Sequence, residues 1–156
     1  MNNSGNLTQA ELYDRLKSQM QHEDELINIR VLWQLLAQSF FFSTYATLLN
    51  AKEAKNGVFA QQQEFLLWAV PVIALLAGLI ASISIFSSIY TIEYMGRVYQ
   101  NYKAPQEDET TKLFPPIQGP EAIRTWARVA PIGLPALFIL TWLVILFKLI
   151  SSSFRV

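Results

Sequence analysis

Residues 66–80 read Leu66-Leu67-Trp68-Ala69-Val70-Pro71-Val72-Ile73-Ala74-Leu75-Leu76-Ala77-Gly78-Leu79-Ile80, without one charged side chain. The uncharged stretch around them runs from residue 65 to residue 92. A helix rising about 1.5 Å per residue needs about 20 apolar residues to cross about 30 Å of hydrocarbon, so this stretch predicts a transmembrane helix. Two other stretches, 31–51 and 129–147, are also free of charge. The fold class expected is therefore an all-α membrane protein with three transmembrane helices and cytoplasmic extensions of the first and second. The first span is the weakest because Gln34 and Gln38 lie inside it. A buried helix of a soluble domain is the alternative there.

Seven segments follow from this reading. Residues 1–28 form a cytoplasmic N-terminal helix, 29–51 the first transmembrane helix and 52–64 a short outer loop. Residues 65–102 form the second transmembrane helix with its cytoplasmic extension, and 103–128 a cytoplasmic proline-rich linker with an interfacial helix. Residues 129–150 are the third transmembrane helix and 151–156 a tail. The hydrophobic share of 52% is gathered into the spans, which makes the lipid bilayer the first partner. Lysine plus arginine equals aspartate plus glutamate at 12 each, so net charge gives no argument for nucleic acid. Absence of cysteine excludes a disulfide framework, a thiol nucleophile and a thiolate metal site; a single histidine, His22, excludes a metal site needing two from one chain. The polar, acidic first 28 residues lack the features of a secretory signal, so the N-terminus is expected to be retained.

Basic residues set the orientation, because cytoplasmic flanks carry the excess. With three spans, the N-terminal segment and the second loop share one side and hold eight Lys and Arg, against four for the first loop and the tail. The N-terminus is expected in the cytoplasm and the C-terminus outside. Trp33, Tyr94 and Trp126 then fall at the inner interface and Trp68 at the outer one.

Thr8-Gln9-Ala10-Glu11 fits a capping box, and no glycine or proline follows between Gly5 and Gly57, which predicts a helix running unbroken from the cytoplasm into the membrane. Its Leu12, Leu16 and Met20 recur every four residues and require a partner face. Tyr94, Val98, Tyr99 and Tyr102, on the extension of the second helix, offer one. Past Lys103 the chain is acidic and proline-rich, Glu107-Asp108-Glu109 preceding Phe114-Pro115-Pro116-Ile117, as in an exposed linker with polyproline character. Pro120 suits the first turn of a short helix reaching Arg128, and Pro131 and Pro135 come early in the third span.

At 100° per residue the second span divides into two halves. Ala74, Ala77, Gly78, Ala81, Ser82, Ser84, Ser88 and Thr91 occupy one, and Leu75, Leu76, Leu79, Ile83, Phe86 and Tyr90 the other. Ala74, Gly78 and Ser82 form a small-xxx-small ladder, which brings helix backbones close. It is expected to serve either as an interface between copies or as packing within the chain. On the first span Glu23, Ile27, Arg30, Gln34, Gln38, Phe41 and Tyr45 project from one side. Amides at this depth need protein partners, so Gln34 and Gln38 either glue helices together or line a hydrophilic path. The third span shows almost nothing but apolar surface around Thr141 and reads as lipid-facing support.

His22-Glu23-Asp24-Glu25 suggests a metal site or a pH switch, but four successive helical residues point around the whole helix, which favours a solvated acidic collar. Glu93 is expected to pair with Arg97 one turn later. The stretch His22-Glu23-Asp24-Glu25-Leu26-Ile27-Asn28-Ile29-Arg30, followed by Trp33 and Gln38, resembles the opening of a family of small bacterial multi-pass membrane proteins. In that family a His-Glu-Asp segment and an Asn-x-Arg-x-x-Trp segment precede the first span. The resemblance covers about the first third of the chain and implies a bacterial inner membrane. It brings no assigned activity and no functional residue, though it directs interest to His22, Glu23, Asn28, Arg30, Trp33 and Gln38.

No catalytic, cofactor-binding or metal-binding motif emerges, and the expectation is a protein that is not an enzyme. The leading expectation is a homo-oligomer that self-associates through the small-residue face of the second helix, with a channel-like pore as its sharper form. Gln34, Gln38, Tyr45, Ala74, Gly78, Ser82, Ser84, Ser88 and Thr91 are the candidates for that interface or path. The alternative is an accessory or scaffold subunit that recruits a protein partner through its N-terminal helix, with His22, Glu23, Asn28, Arg30, Trp33, Glu93 and Arg97 as cytoplasmic interface candidates.

Overall fold

Two long helices, α1 (Gln9–Asn50) and α2 (Gly57–Lys103), run antiparallel and pack along their whole length. A short α3 (Glu121–Ala127) then leads into α4 (Val129–Ser153), which lies against α2 and touches α1. The computed structural model describes residues 9–51, 57–103 and 120–154, and among them the chain is all-helical. Thr8 of the capping box, residues 52–56 of the outer loop, the acidic proline-rich linker and the last two residues lie outside the described residues.

The absence of a breaker before Gly57 has the expected effect: α1 is one helix of 42 residues. α2, at 47 residues, begins eight residues before the boundary expected at residue 65, since Gln61, Gln62, Gln63 and Glu64 are good helix formers and continue the helix where the apolar run stops. Pro71 sits fully buried inside it without ending it. At about 1.5 Å per residue each of these helices is over 60 Å long, about twice the thickness of a hydrocarbon layer. α3 begins at Glu121 as expected, with Pro120 as its N-cap. Arg128 ends α3 and begins α4, its amide bonding Thr125 O at 3.2 Å and its carbonyl accepting from Ile132 N at 3.2 Å.

Two helices are long and apolar enough to cross a membrane, over Ala60–Asn101 and Thr125–Ser153. Of their most apolar windows only 22% and 11% is buried, whereas the core helix of a water-soluble domain is mostly buried. The first helix does not reach that apolarity, so by composition two of the three expected spans qualify. Gln34, Gln38, Ser39, Ser43, Thr44 and Thr47 lower it.

Two clusters hold the bundle. At one end Tyr13, Leu16 and Met20 of α1 are buried against Met95 and Tyr99 of α2, with Leu12 and Ile92 packed alongside. The Leu12/Leu16/Met20 stripe therefore finds its partner on the extension of α2, but on a face one residue round from part of the expected one: Tyr94 and Val98 are exposed. The side chain of Tyr102 lies outside the described residues. Burial, and then the neighbouring Tyr13, hold the Tyr99 phenol above its ordinary range. Nearer the other end Tyr45, Val70, Ala74 and Trp142 join α1, α2 and α4.

Candidate functional site

The polar residues of the middle of α1 point inward. Gln38 is 1% exposed and Gln34 6%, while Leu32, Trp33, Leu36 and Phe40 on the other faces of the same turns are exposed. Side chains at i, i+4 and i+8 share a helix face, so Arg30, Gln34 and Gln38 form one row against α2.

Gln38 is the centre of the seam. Its Nε2 donates to Ala74 O at 3.0 Å, and its Oε1 accepts from Trp142 Nε1 at 2.7 Å. One amide thus joins three helices. Phe42 stacks on the Trp142 ring at 4.4 Å between centroids, and Tyr45 meets its edge at 5.8 Å. Trp142 is fully buried, so α4 is not lipid-facing support alone: it supplies the indole that completes the hub. The sequence held a signal for this. An indole N–H in the middle of an apolar span, far from either interface, has no water to bond and requires a protein acceptor.

Toward the Tyr13–Tyr99 end, Arg30 Nη1 donates to Ser84 O at 3.1 Å and to Ser88 Oγ. Arg30 therefore fastens α1 to the serine face of α2. Among the described residues no carboxylate lies within ion-pair distance of it. Glu93 pairs not with Arg97 but with Arg128 at the start of α4, because α4 brings a second guanidinium to the same level. Arg97 is exposed and lies over the Tyr90 ring at 5.9 Å.

The small-residue ladder is filled from within the chain. Ala74 is completely buried, and a Cβ added at Gly78 would stand 3.3 Å from Ile139 Cγ1 of α4 and 3.5 Å from Gln38 Nε2 of α1. Ser82 bonds back to Gly78 O at 2.8 Å and Thr91 to Ser87 O at 2.9 Å, each within its own helix. A second copy has no access to Ala74 or Gly78 in this arrangement. The polar line does not form a path at Gln38 either, since both ends of its amide are bonded within the chain.

Gln34 differs from its neighbour one turn on. Both its Oε1 and its Nε2 are buried without a hydrogen-bond partner among the described residues. Beside it an open groove of about 460 Å³ runs between α1 and α2, lined by Arg30, Trp33, Ala37, Ala77, Ile80 and Ala81 among others. Trp33 is 67% exposed at the groove's edge, one turn from Arg30.

The remaining candidates do not converge. His22 and Asn28 are exposed and Glu23 is half-buried. No group of three or more metal-ligating side chains forms among the described residues. In comparisons with protein-family models, with curated proteins and with solved structures, nothing matches this chain.

Proposed function

We propose that the chain is a non-enzymatic integral membrane protein in which α1, α2 and α4 all cross the bilayer, N-terminus cytoplasmic and C-terminus outside, and that it serves as an accessory or scaffold subunit. The observation carrying this reading is a reversal of polarity along the α1–α2 pair. At the Tyr13–Tyr99 end the pair buries tyrosine, leucine and methionine and exposes Asp14, Arg15, Lys17 and His22, as a helix pair in water does. From residue 29 onward it seats Gln34, Gln38 and Ser88 inside, among Tyr45, Val70 and Ile85, and exposes Leu32, Leu36, Phe40, Ile80 and Ile83. Apolar side chains outward and amides inward is the arrangement suited to lipid.

The contact of α1 with α2 adds a geometric argument. It extends from Tyr13 against Tyr99 to Gln63 Nε2 donating to Leu48 O at 3.2 Å. A helix bonded to α2 at both ends accompanies it through the bilayer, whatever its own apolarity. The cytoplasmic side follows from the excess of basic flanks, and a bacterial inner membrane from the resemblance carried by residues 22–38.

The accessory role is supported by what the bundle leaves free. Its small-residue face and its N-terminal apolar stripe are both spent inside the chain, which removes the basis for self-association through the former and for recruitment through the latter, and leaves the charged surface of the extension. The extension presents charged surface, and recruitment of a protein partner would use Asp14, Arg15, Lys17 and Glu25. The membrane reading is tested with nitroxide labels on this cysteine-free chain, at Ser18, Leu36 and Phe40, in reconstituted bilayers. Labels at Leu36 and Phe40 should be relaxed by dissolved oxygen and ignored by a water-soluble nickel chelate, with the reverse at Ser18. Strong relaxation by the chelate at all three would refute the span.

A further inference from the structure

We infer that the groove between α1 and α2 is a binding site for an anionic phospholipid of the inner leaflet, its phosphate on Arg30 and one acyl chain along Ala37, Ala77 and Ala81. The inference rests on the reading that α1 lies in the membrane. Three observations select this occupant. First, the groove's exposed lining is mainly apolar and has a cation at one end, the polarity of an anionic amphiphile. Second, that cation is unneutralised: Arg30 is half-buried, its Nη1 is held by Ser84 O and Ser88 Oγ, and no carboxylate among the described residues pairs with it. A guanidinium carries five donors, of which Nη1 supplies two, and its flat edge suits bidentate contact with a phosphate. Third, Gln34, one turn deeper on the same helix, has an amide with no partner and forms part of the groove wall. Turned outward from the seam, that amide meets the ester oxygens that follow a phosphate into the bilayer.

The depths agree. Ser88 precedes Glu93 on α2, which places the Arg30 guanidinium about 7 Å further into the bundle than the Glu93–Arg128 pair. Because helical side chains lean toward the N-terminus, Arg30 reaches toward the cytoplasmic end of α1 and a lipid phosphate dips slightly to meet it. Basic pockets between transmembrane helices on the cytoplasmic side are where anionic headgroups bind. The volume of about 460 Å³ lies within the range of about 300–1,000 Å³ usual for small-molecule sites.

Trp33 at the groove edge is a built-in reporter. The full chain is reconstituted in phosphatidylcholine with either brominated phosphatidylglycerol or brominated phosphatidylcholine, and the Trp33 contribution is taken as the difference between wild type and Trp33→Phe. The expected result is that brominated phosphatidylglycerol quenches Trp33 with about fivefold preference over the zwitterionic lipid, as one basic residue at an anionic surface provides. Arg30→Gln should abolish the preference. Because Arg30 also fastens α2, Ala37→Leu serves as the second variant: it fills the groove without touching that contact and should lower quenching by both lipids. Equal quenching of the wild type by both lipids would overturn the proposal while leaving α1 in the membrane. So would an undiminished preference in both variants. Absence of quenching by either lipid would also overturn it; disulfide cross-linking of two Ile80→Cys chains would then assign the groove to a second copy, and no cross-link would place α1 outside the bilayer. Inorganic phosphate added alone should leave the quenching unchanged, and competition by it would mean a site for free phosphate instead.

Discussion

A single amide does most to decide how three helices meet. Gln38 offers a donor and an acceptor, and both are used across helices, on Ala74 O and Trp142 Nε1. Gln38→Leu keeps the volume but strands a buried indole N–H, and each such orphan costs about 1–3 kcal/mol. In membrane proteins the reference state recovers part of that cost, so a loss of about 1–2 kcal/mol is expected in a reversible denaturation assay in mixed micelles. Trp142→Phe removes the donor and keeps the ring stack on Phe42. Added to Gln38→Leu it should cost clearly less than the sum of the single changes, and strict additivity would mean that the indole bond contributes nothing. Gln34 was legible as a polar residue inside a span, but not as an orphan. Its row with Gln38 is set by helical periodicity, whereas its lack of a partner depends on α2 presenting Gly78 and Ala77 there, with no acceptor side chain.

Among the elements, α2 is the one both others depend on, and at Gly78 it is approached by side chains of both. Gly78→Leu should separate α4 from α2, because even a Cβ there stands 3.3 Å from Ile139 Cγ1. We expect a loss of more than about 2 kcal/mol by overpacking, read as a lower unfolding temperature in detergent. Gly133 in α4 is the control: a Cβ there meets nothing within 4 Å, so Gly133→Ala should be neutral or stabilise by up to about 1 kcal/mol through helix propensity. The extension of α1 rests on fewer residues. Leu16→Ala should cost about 2 kcal/mol and raise amide exchange across residues 9–20 while leaving exchange in the middle of α1 unchanged, which hydrogen exchange with mass-spectrometric readout resolves. The division of α2 into a small face and a large apolar face was readable from periodicity, since Leu76, Leu79, Ile83, Phe86 and Tyr90 are exposed, and only Leu75 of that half turns in to pack against the Tyr45–Trp142 cluster. Periodicity names a face that packs but not its occupant. The ladder therefore left a second copy and the same chain both open, and the structure fills it with Gln38 and Ile139 of the same chain. The Glu93–Arg128 pair was missed for the same reason: spacing along one helix favours Arg97, and only the approach of α4 supplies the competitor.

At the scale of the molecule, three uncharged stretches implied three spans, yet α1 on composition alone falls short of the apolarity that α2 and α4 reach. What composition averages away, the bundle separates by direction. The amides that lower the apolarity of α1 face protein, and the side chains on its outer surface are Leu32, Trp33, Leu36 and Phe40. Sequence patterning showed the row of polar residues, but only the packing against α2 from Tyr99 to Gln63 makes it the inside of the helix bundle. The most direct test is the sidedness of the two ends of α1. In intact cells, a membrane-impermeant maleimide should label Ala51→Cys from outside and should reach Ser18→Cys only after permeabilisation, because a spanning α1 separates the two positions by the bilayer. Labelling of both positions only after permeabilisation, or of both in intact cells, would put the two ends of α1 on one side and contradict the three-span bundle.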